Sequence, residues 1–309
     1  MNVYENQALE KYLLHHVKEN EVILYLWQND HTIVIGKNQD AFDECDVRKL
    51  EEEGGHLARR ITGGGAVYHD KGNLNFTFLC PRDLFDISKQ DEIILKGLNQ
   101  LGIHAVKNGR NDLEIDGRKF SGHAYYKGKE SCMHHGTLML EVNEEHLSSY
   151  LHVSLPKLHS KNVASVKSRI INLKSIVPDL KIEDVKRALV KSAEEVYGDK
   201  ASLYTIENQE EVKELRHFFE EDKWRYGENI SYKYNKERRF SWGTLKVSYD
   251  LCEGRINHLA IYTDAMDPDV FDHCEELLKS KRIDELCVEA KGQEMADLLC
   301  LLREKENEV

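Results

Sequence analysis

Arg59 and Arg60 stand just ahead of three consecutive glycines, Gly63, Gly64 and Gly65, in the stretch RRITGGGAVYHD (59–70). Three glycines in a row cost backbone entropy in any regular element. Such a run permits positive φ and removes every Cβ, so backbone N–H groups can close on a ligand. Phosphate oxygens are the common occupant of a nest of this kind. Arg60 or Arg59 would add a charge-assisted contact. The block is not G-x-G-x-x-G and lacks the Lys-Ser/Thr pair of a Walker loop, so dinucleotide and P-loop folds are disfavoured. A glycine hairpin with two solvated arginines is the competing reading of the block taken alone.

Three further stretches carry candidate chemistry. In GRNDLEIDGRKFSGHAYY (109–126), Lys119 follows an Asp-Gly turn and precedes Ser121-Gly122. Strand alternation sets it opposite in face to Arg118 and Phe120. An inward lysine must meet an anion; the alternative is a surface lysine on a hairpin edge. Asn111 and Asp112 either form a turn or supply oxygens for Mg²⁺, which takes one or two carboxylates plus phosphate. In CMHHGTLML (132–140), His134 and His135 could line a site or be structural, and Cys132 could act as an acyl-thioester nucleophile beside them. In SKNVASVKSRIINL (160–173), Ser165 to Arg169 read either as a solvated capping loop or as a mobile cationic lid over phosphate.

The elements that must position these residues are mixed. ENQALEKYLLHHVKEN reads as an amphipathic helix. EVILYLWQN and HTIVIGKNQ read as two strands joined by a polar turn. AFDECDVRKLEEEG is a second helix closed by Gly54-Gly55. A short strand, the glycine loop, a turn at Lys71-Gly72-Asn73 and a strong strand at 74–80 follow. Residues 91–103 are helical, and 111–142 form a β-meander with a hairpin turn at Asp116-Gly117. Residues 144–152 and 182–197 are helical. Hairpins outnumber β-α-β units, which indicates α+β with a mixed, largely antiparallel sheet. Beyond residue 226 the pattern becomes two alternating strands around Glu253-Gly254 and three helical stretches. The expected division is therefore a catalytic domain over 1–226 and a small α+β accessory domain over 227–309.

Hydrophobic residues make up 40% and charged residues 32% of the 309, the balance of an ordinary globular protein. No apolar run reaches membrane-spanning length, and the N-terminus lacks the basic-then-apolar layout of a signal peptide. The seven cysteines are never spaced C-x-x-C, which points to reduced thiols, a cytoplasmic location and no structural zinc site. The net charge of −12 argues against nucleic acid as partner.

Taken together and in this order, RRITGGGAVYHDKGNLNFTF, GRNDLEIDGRKFSGHAYY, HHGTLML and SVKSRIINL resemble the lipoate-protein ligase A family. NQALEKYL is similar to the family's opening helix, and RRFSWGTLKVSYDLCEGRINHLAIYTDAMDP to its C-terminal accessory domain. The resemblance implies a catalytic domain akin to biotin protein ligase and a two-step reaction. ATP and lipoate form lipoyl-AMP and pyrophosphate; the lipoyl group then passes to a lysine of a lipoyl acceptor domain or of the glycine-cleavage H protein. It implies Lys119 as the essential lysine, holding both lipoate carboxyl and α-phosphate. It implies Arg60, Gly65, Ala66, Val67, Tyr68, Asn111 and Asp112 at ATP and the adenylate, with Asp112 as the Mg²⁺ ligand. It places Gly64, His69 and Gly122 along the acyl chain, and Ser165, Val166, Lys167, Ser168 and Arg169 in a covering loop. Lipoic or octanoic acid is the expected acyl substrate and a monomer the expected state. His123 departs from the Ser or Asn that the family often carries there. A cysteine-dependent octanoyltransferase of the same fold, using Cys132 and no ATP, is the rival reading.

Overall fold

The computed structural model describes residues 2–109, 111–152, 169–227, 231–283, 286 and 292–304. Helix α1 (Val3–His16) opens the chain, with Asn2 capping it by accepting the Tyr4 and Glu5 N–H groups. Strands β1 (Ile23–Trp27) and β2 (Thr32–Ile35) follow, then short helices α2 (Ala41–Glu44) and α3 (Val47–Glu52), then β3 (His56–Arg59), β4 (Val67–His69) and β5 (Asn73–Pro81). Helix α4 (Ile87–Gln100) precedes β6 (Val106–Asn108), β7 (Asp112–Ile115), β8 (Arg118–Lys127) and β9 (Ser131–Met139). Helices α5 (Glu144–Tyr150), α6 (Ile182–Tyr197), α7 (Gln209–Glu220) and α8 (Asp222–Tyr226) complete this part.

Two sheets result. One is six-stranded and antiparallel in the order β1-β5-β9-β8-β7-β6; the other is β3-β2-β4, with β2 parallel to β3 and antiparallel to β4. β1 and β2 are therefore not a hairpin. β1 pairs with β5 over Ile23–Leu79 to Trp27–Asn75, while every residue of β2 is buried in the second sheet. The turn between them, with His31 at φ 42°, redirects the chain from one sheet to the other. The expected second helix is likewise two, because Asp46 leaves helical geometry and caps α3 by accepting the Lys49 N–H. From Asn73 to Cys80 every residue of β5 is buried, so both faces of the central strand are covered.

Strands β10 (Tyr234–Arg239), β11 (Thr244–Cys252) and β12 (Arg255–Thr263) form a separate antiparallel sheet, with α9 (Cys274–Leu278) and α10 (Gln293–Arg303). β10 lies ahead of the two strands legible from alternation; its exposed, charged sequence hid it. These elements have their own core around Leu245, Val247, Tyr249, Leu278 and Leu298. The helical reading of 283–291 falls mostly outside the described residues. No helix among the described residues is long and apolar enough to cross a membrane.

The C-terminal sheet docks on the loops that carry the glycine block. Gly64 donates its N–H to Ala265 O at 2.9 Å, Thr263 donates to Asn38 O at 2.8 Å, and Lys37 Nζ pairs with Asp269 at 2.6 Å and Asp272 at 3.0 Å. A Cβ on Gly63 would sit inside van der Waals contact of the Ala265 and Met266 carbonyls. Gly63→Val is thus expected to pry this contact open. Limited proteolysis of native protein should then cut near residue 265 faster than in the parent; equal cleavage rates would show that the docking does not depend on the bare glycine.

Candidate active site

A cleft opens between the two N-terminal sheets. One wall is the glycine block, with Gly64, Gly65, Ala66, Val67 and His69. The opposite wall is the strand pair β8–β9, with Lys119, the 122–124 backbone, His135 and Thr137, and α1 contributes Gln7 and Glu10.

Each glycine of the triplet has its own reason. Gly63 admits the C-terminal segment, as above. Gly64 sits at φ 88°, a region costly for side-chain-bearing residues. A Cβ on Gly65 would meet nothing within 4 Å, so this position alone leaves the backbone open to the cleft. Behind the loop lies Arg60, buried and, among the described residues, without a carboxylate at ion-pair distance. Its Nε donates to Thr62 Oγ1 at 3.0 Å, its Nη1 to Val34 O at 3.1 Å, and its Nη2 to Gly63 O and Gly65 O, both at 2.8 Å. Burial pulls its pKa down to about 10, so it stays cationic at neutral pH. Arg60 is thus an internal brace of the loop, fixed largely by backbone carbonyls while still lining the cleft. Arg59 is a second brace, donating to Gln39 O at 2.6 Å, Lys37 O at 2.9 Å, Trp224 O at 2.7 Å and Arg225 O at 3.1 Å.

Along β4, Val67 and His69 line the cleft but Tyr68 does not. Alternation turns the Tyr68 ring into the core beside Tyr150, with its hydroxyl 3.1 Å from His146 Nδ1. Of the expected ATP-binding run, Tyr68 is thus the residue whose side chain lies outside the cleft lining. Asp70 accepts the Gly72 and Asn143 N–H groups at 2.8 Å and holds the turn into β5.

Lys119 reaches the cleft through a β-bulge. Glu114 pairs with Lys119 and Leu113 with Ser121, leaving Phe120 as the extra residue on β8. The bulge brings Lys119 and Gly122 to one side, which strict alternation forbids. Lys119 Nζ lies 2.7 Å from Asp112 Oδ1, an ion pair outside hydrogen-bond geometry, since Asp112 Oδ1 makes no hydrogen bond. A Cβ on Gly122 would fall 2.9 Å from that ammonium and 3.1 Å from Lys119 Cε. Gly122→Ala should displace the ammonium rather than unfold the sheet, because the clash is with the far end of a flexible side chain. We expect an unchanged urea midpoint and a ligation rate about tenfold lower; a rate equal to the parent's would show that Lys119 need not lie over Gly122. Asn111 lines the cleft beside Met266, its Nδ2 3.7 Å from that sulfur. Ile171 donates its N–H to Lys119 O at 2.9 Å and Ile170 bridges to Lys119, so the segment after Arg169 returns beside the lysine. Ser165, Val166, Lys167 and Ser168 lie outside the described residues.

Several cleft residues were not visible as such in the sequence. Glu10 Oε1 accepts from Thr77 Oγ1 at 2.6 Å and contacts His135 Nδ1 at 2.8 Å; His135 Nε2 in turn meets Thr62 Oγ1 at 2.8 Å, the hydroxyl that Arg60 holds. Trp27 Nε1 donates to Thr77 at 2.9 Å. This chain of hydrogen bonds fixes the floor of the cleft. Gln7 Oε1 and Nε2, His69 Nε2 and Asn75 Nδ2 are buried without hydrogen-bond partners and belong to cleft-lining residues, so polar groups remain for an occupant. The available signal was Gln7 and Glu10, polar residues three apart on one face of α1.

His69 is fully enclosed, and burial, then the Arg60 charge, pull its pKa down to about 3. The unfolded chain takes up this proton near pH 6.5, the folded chain near pH 3, so stability is lost as pH falls through that window. The slope is about 1.4 kcal/mol per pH unit for one proton. His69→Gln should flatten the pH dependence of the urea midpoint by one proton between those limits. Parallel curves for parent and variant would show that His69 does not titrate this way.

Cys132 is buried, does not line the cleft, and has its thiol pKa raised by burial. It lacks both the access and the thiolate character of a nucleophile.

Two sheets close on a lysine-bearing cleft and a separately cored C-terminal sheet lies beside them, the build of an α+β domain with a smaller second unit. The chain matches the model of the lipoyl protein ligase A/B catalytic domain over residues 2–194 and that of the bacterial lipoate protein ligase C-terminus over 229–303. It belongs to the lipoyl protein ligase A/B family and is an enzyme of the lipoate–protein ligase class. It is 35% identical over 318 aligned positions to lipoate-protein ligase A of Bdellovibrio bacteriovorus, covering 100% of this chain and 92% of the relative. The crystal structure of P. falciparum LipL1 in complex with lipoate superposes with a TM-score of 0.83 at 29% identity, over 98% of this chain and 97% of the other. A lipoate-protein ligase A bound with ATP gives 0.64 at 26% identity, over 73% of this chain and 94% of the other.

Proposed function

We propose that the chain activates lipoate with ATP to lipoyl-AMP, releasing pyrophosphate, and then transfers the lipoyl group to a lysine of an acceptor protein. The observation that carries this reading is Lys119, aimed by a bulge over Gly122 and held by Asp112 at the cleft. In the first step the lipoate carboxylate attacks the α-phosphate of ATP. The ammonium of Lys119 lies between both groups and offsets the charge that gathers as the anhydride forms. In the second step the acceptor amine attacks the acyl carbon and AMP leaves.

Around Lys119 the roles divide by position. Gly65, Ala66 and Val67 form the wall along which ATP lies, with Arg60 as its positive floor. Tyr68 serves that wall from behind, through the core. Gly64, His69 and Gly122 flank the acyl chain, whose far end meets Gln7 and Asn75. Asn111 and Asp112 bound the adenylate, and closing over it is the role that the family resemblance gives to 165–169. Asp112 offers one carboxylate beside the phosphates, the donor set by which Mg²⁺ is commonly held together with substrate; the ion would supply charge neutralisation of the triphosphate. We place the domain division at 226/227, where α8, tied to Arg59 through the Trp224 and Arg225 carbonyls, ends. The acceptors are lipoyl domains of 2-oxo acid dehydrogenase complexes and the glycine-cleavage H protein, with octanoate as the alternative acyl group and a cytoplasmic monomer as the working form.

The test offers apo lipoyl domain and apo H protein side by side with ATP, Mg²⁺ and lipoate. A mass gain of one lipoyl group on a single acceptor lysine, dependent on ATP, is expected. Acylation that proceeds without ATP, or none on either acceptor, overturns the reading.

A further inference from the structure

Behind the cleft wall, on the other face of β8 and β9, three buried side chains turn ligand atoms toward one point. His123 Nδ1 lies 3.0 Å from His134 Nε2 and 3.4 Å from Asp91 Oδ1, and His134 Nε2 lies 4.0 Å from that oxygen. Asp91 comes from α4, His123 from β8 and His134 from β9, and none of the three side chains is more than 5% exposed. They are the group of histidine and carboxylate ligands that stands out among the described residues. We propose that Asp91, His123 and His134 bind a divalent transition-metal ion of the zinc class.

The outer atoms of each ligand carry the argument. His134 Nδ1 lies 2.9 Å from Gln90 Oε1, whose amide nitrogen points to Cys80 Sγ at 3.9 Å. A carbonyl oxygen only accepts, so the proton sits on Nδ1 and Nε2 keeps its lone pair. His123 Nε2 lies 3.0 Å from Ser121 Oγ, which can accept its proton and leave Nδ1 bare. Asp91 Oδ2 is paired with Lys107, and Asp91 Oδ1 is buried with no hydrogen bond. Two bare ring nitrogens and one orphaned carboxylate oxygen therefore face each other. Each is oriented by a partner on its far side, as ligating histidines and carboxylates are. Two histidines and one carboxylate form a donor set that divalent zinc and iron both accept, with positions left for water. A neighbouring phenol oxygen, that of Tyr125, is also buried without a partner; its ring lies 4.7 Å from that of His134.

The competing arrangement needs no ion. Ser121 would donate to His123 Nε2, and His123 Nδ1–H would be shared between His134 Nε2 and Asp91 Oδ1. Elemental analysis separates the two. Untagged full-length protein, expressed in zinc-supplemented medium and passed over a sizing column with chelator, should retain about one equivalent of zinc per chain. His134→Gln and Asp91→Asn should each lose it with unchanged far-ultraviolet circular dichroism. Protein expressed with cobalt should show visible d–d absorption, a readout that needs no variant and so decides the matter if the variants fail to fold. Substoichiometric zinc together with no cobalt bands overturns the proposal, as does undiminished zinc in folded variants.

Discussion

Lys119→Ala is expected to slow lipoate-dependent pyrophosphate release by about 10²- to 10³-fold, the usual cost of deleting one preorganised charge from an active site. The fold should survive. The Lys119 side chain is 39% exposed, so truncation opens no core cavity, and stability should stay within about 0.5 kcal/mol of the parent. Asp112 Oδ1 loses its partner, but its side chain is 30% exposed overall and water can enter the space the ammonium leaves. Lys119→Arg should not restore the rate, because a planar fork needs room that the short span over Gly122 does not provide. Pyrophosphate release and urea unfolding, measured on the same preparations, separate the two effects. Near-normal release by Lys119→Ala would remove this residue from the chemistry.

Arg60→Ala is expected to act through stability first. Its guanidinium is the donor that the glycine loop folds around, serving Val34 O, Gly63 O, Gly65 O and Thr62 Oγ1. Truncation leaves these acceptors without their donor at a cost of about 1–3 kcal/mol each, offset where water enters the space left behind. A net loss of about 3–5 kcal/mol in urea unfolding is reasonable, and ligation should fall with it as Gly65 loses its position. Arg60→Lys should recover a fraction only, since a single ammonium cannot reproduce the forked geometry. If Arg60→Ala lost activity with stability within about 0.5 kcal/mol of the parent, the arginine would be a ligand contact and not a brace.

These two residues show what was legible in the sequence. Lys119 could be singled out because the Asp116-Gly117 turn fixes where β8 begins and a lysine beside Ser-Gly is chemically conspicuous. Its final direction was not legible, because the bulge at Phe120 comes from pairing with β7 and leaves no local signature. The glycine triplet was visible as a backbone feature, yet one purpose was expected where the structure has three. Only the fold reveals that Gly63 meets Ala265, some two hundred positions away. The bracing role of Arg60 was hidden for the same reason, since most of its partners are carbonyls, which every sequence contains. The adjacent histidines could not be sorted as neighbours in a string. On a strand they part, His135 to the cleft and His134 to the far side. The strands themselves were read well where they are buried and alternating, and poorly at β10, which is charged and exposed along most of its length.

The most direct test of the adenylating cleft is pyrophosphate release by the full-length chain with ATP and Mg²⁺, with and without lipoate and before any acceptor is added. The expected result is release that requires lipoate, with lipoyl-AMP recovered by mass spectrometry in equal amount. Release that ignores lipoate, or no release by folded protein, would contradict it.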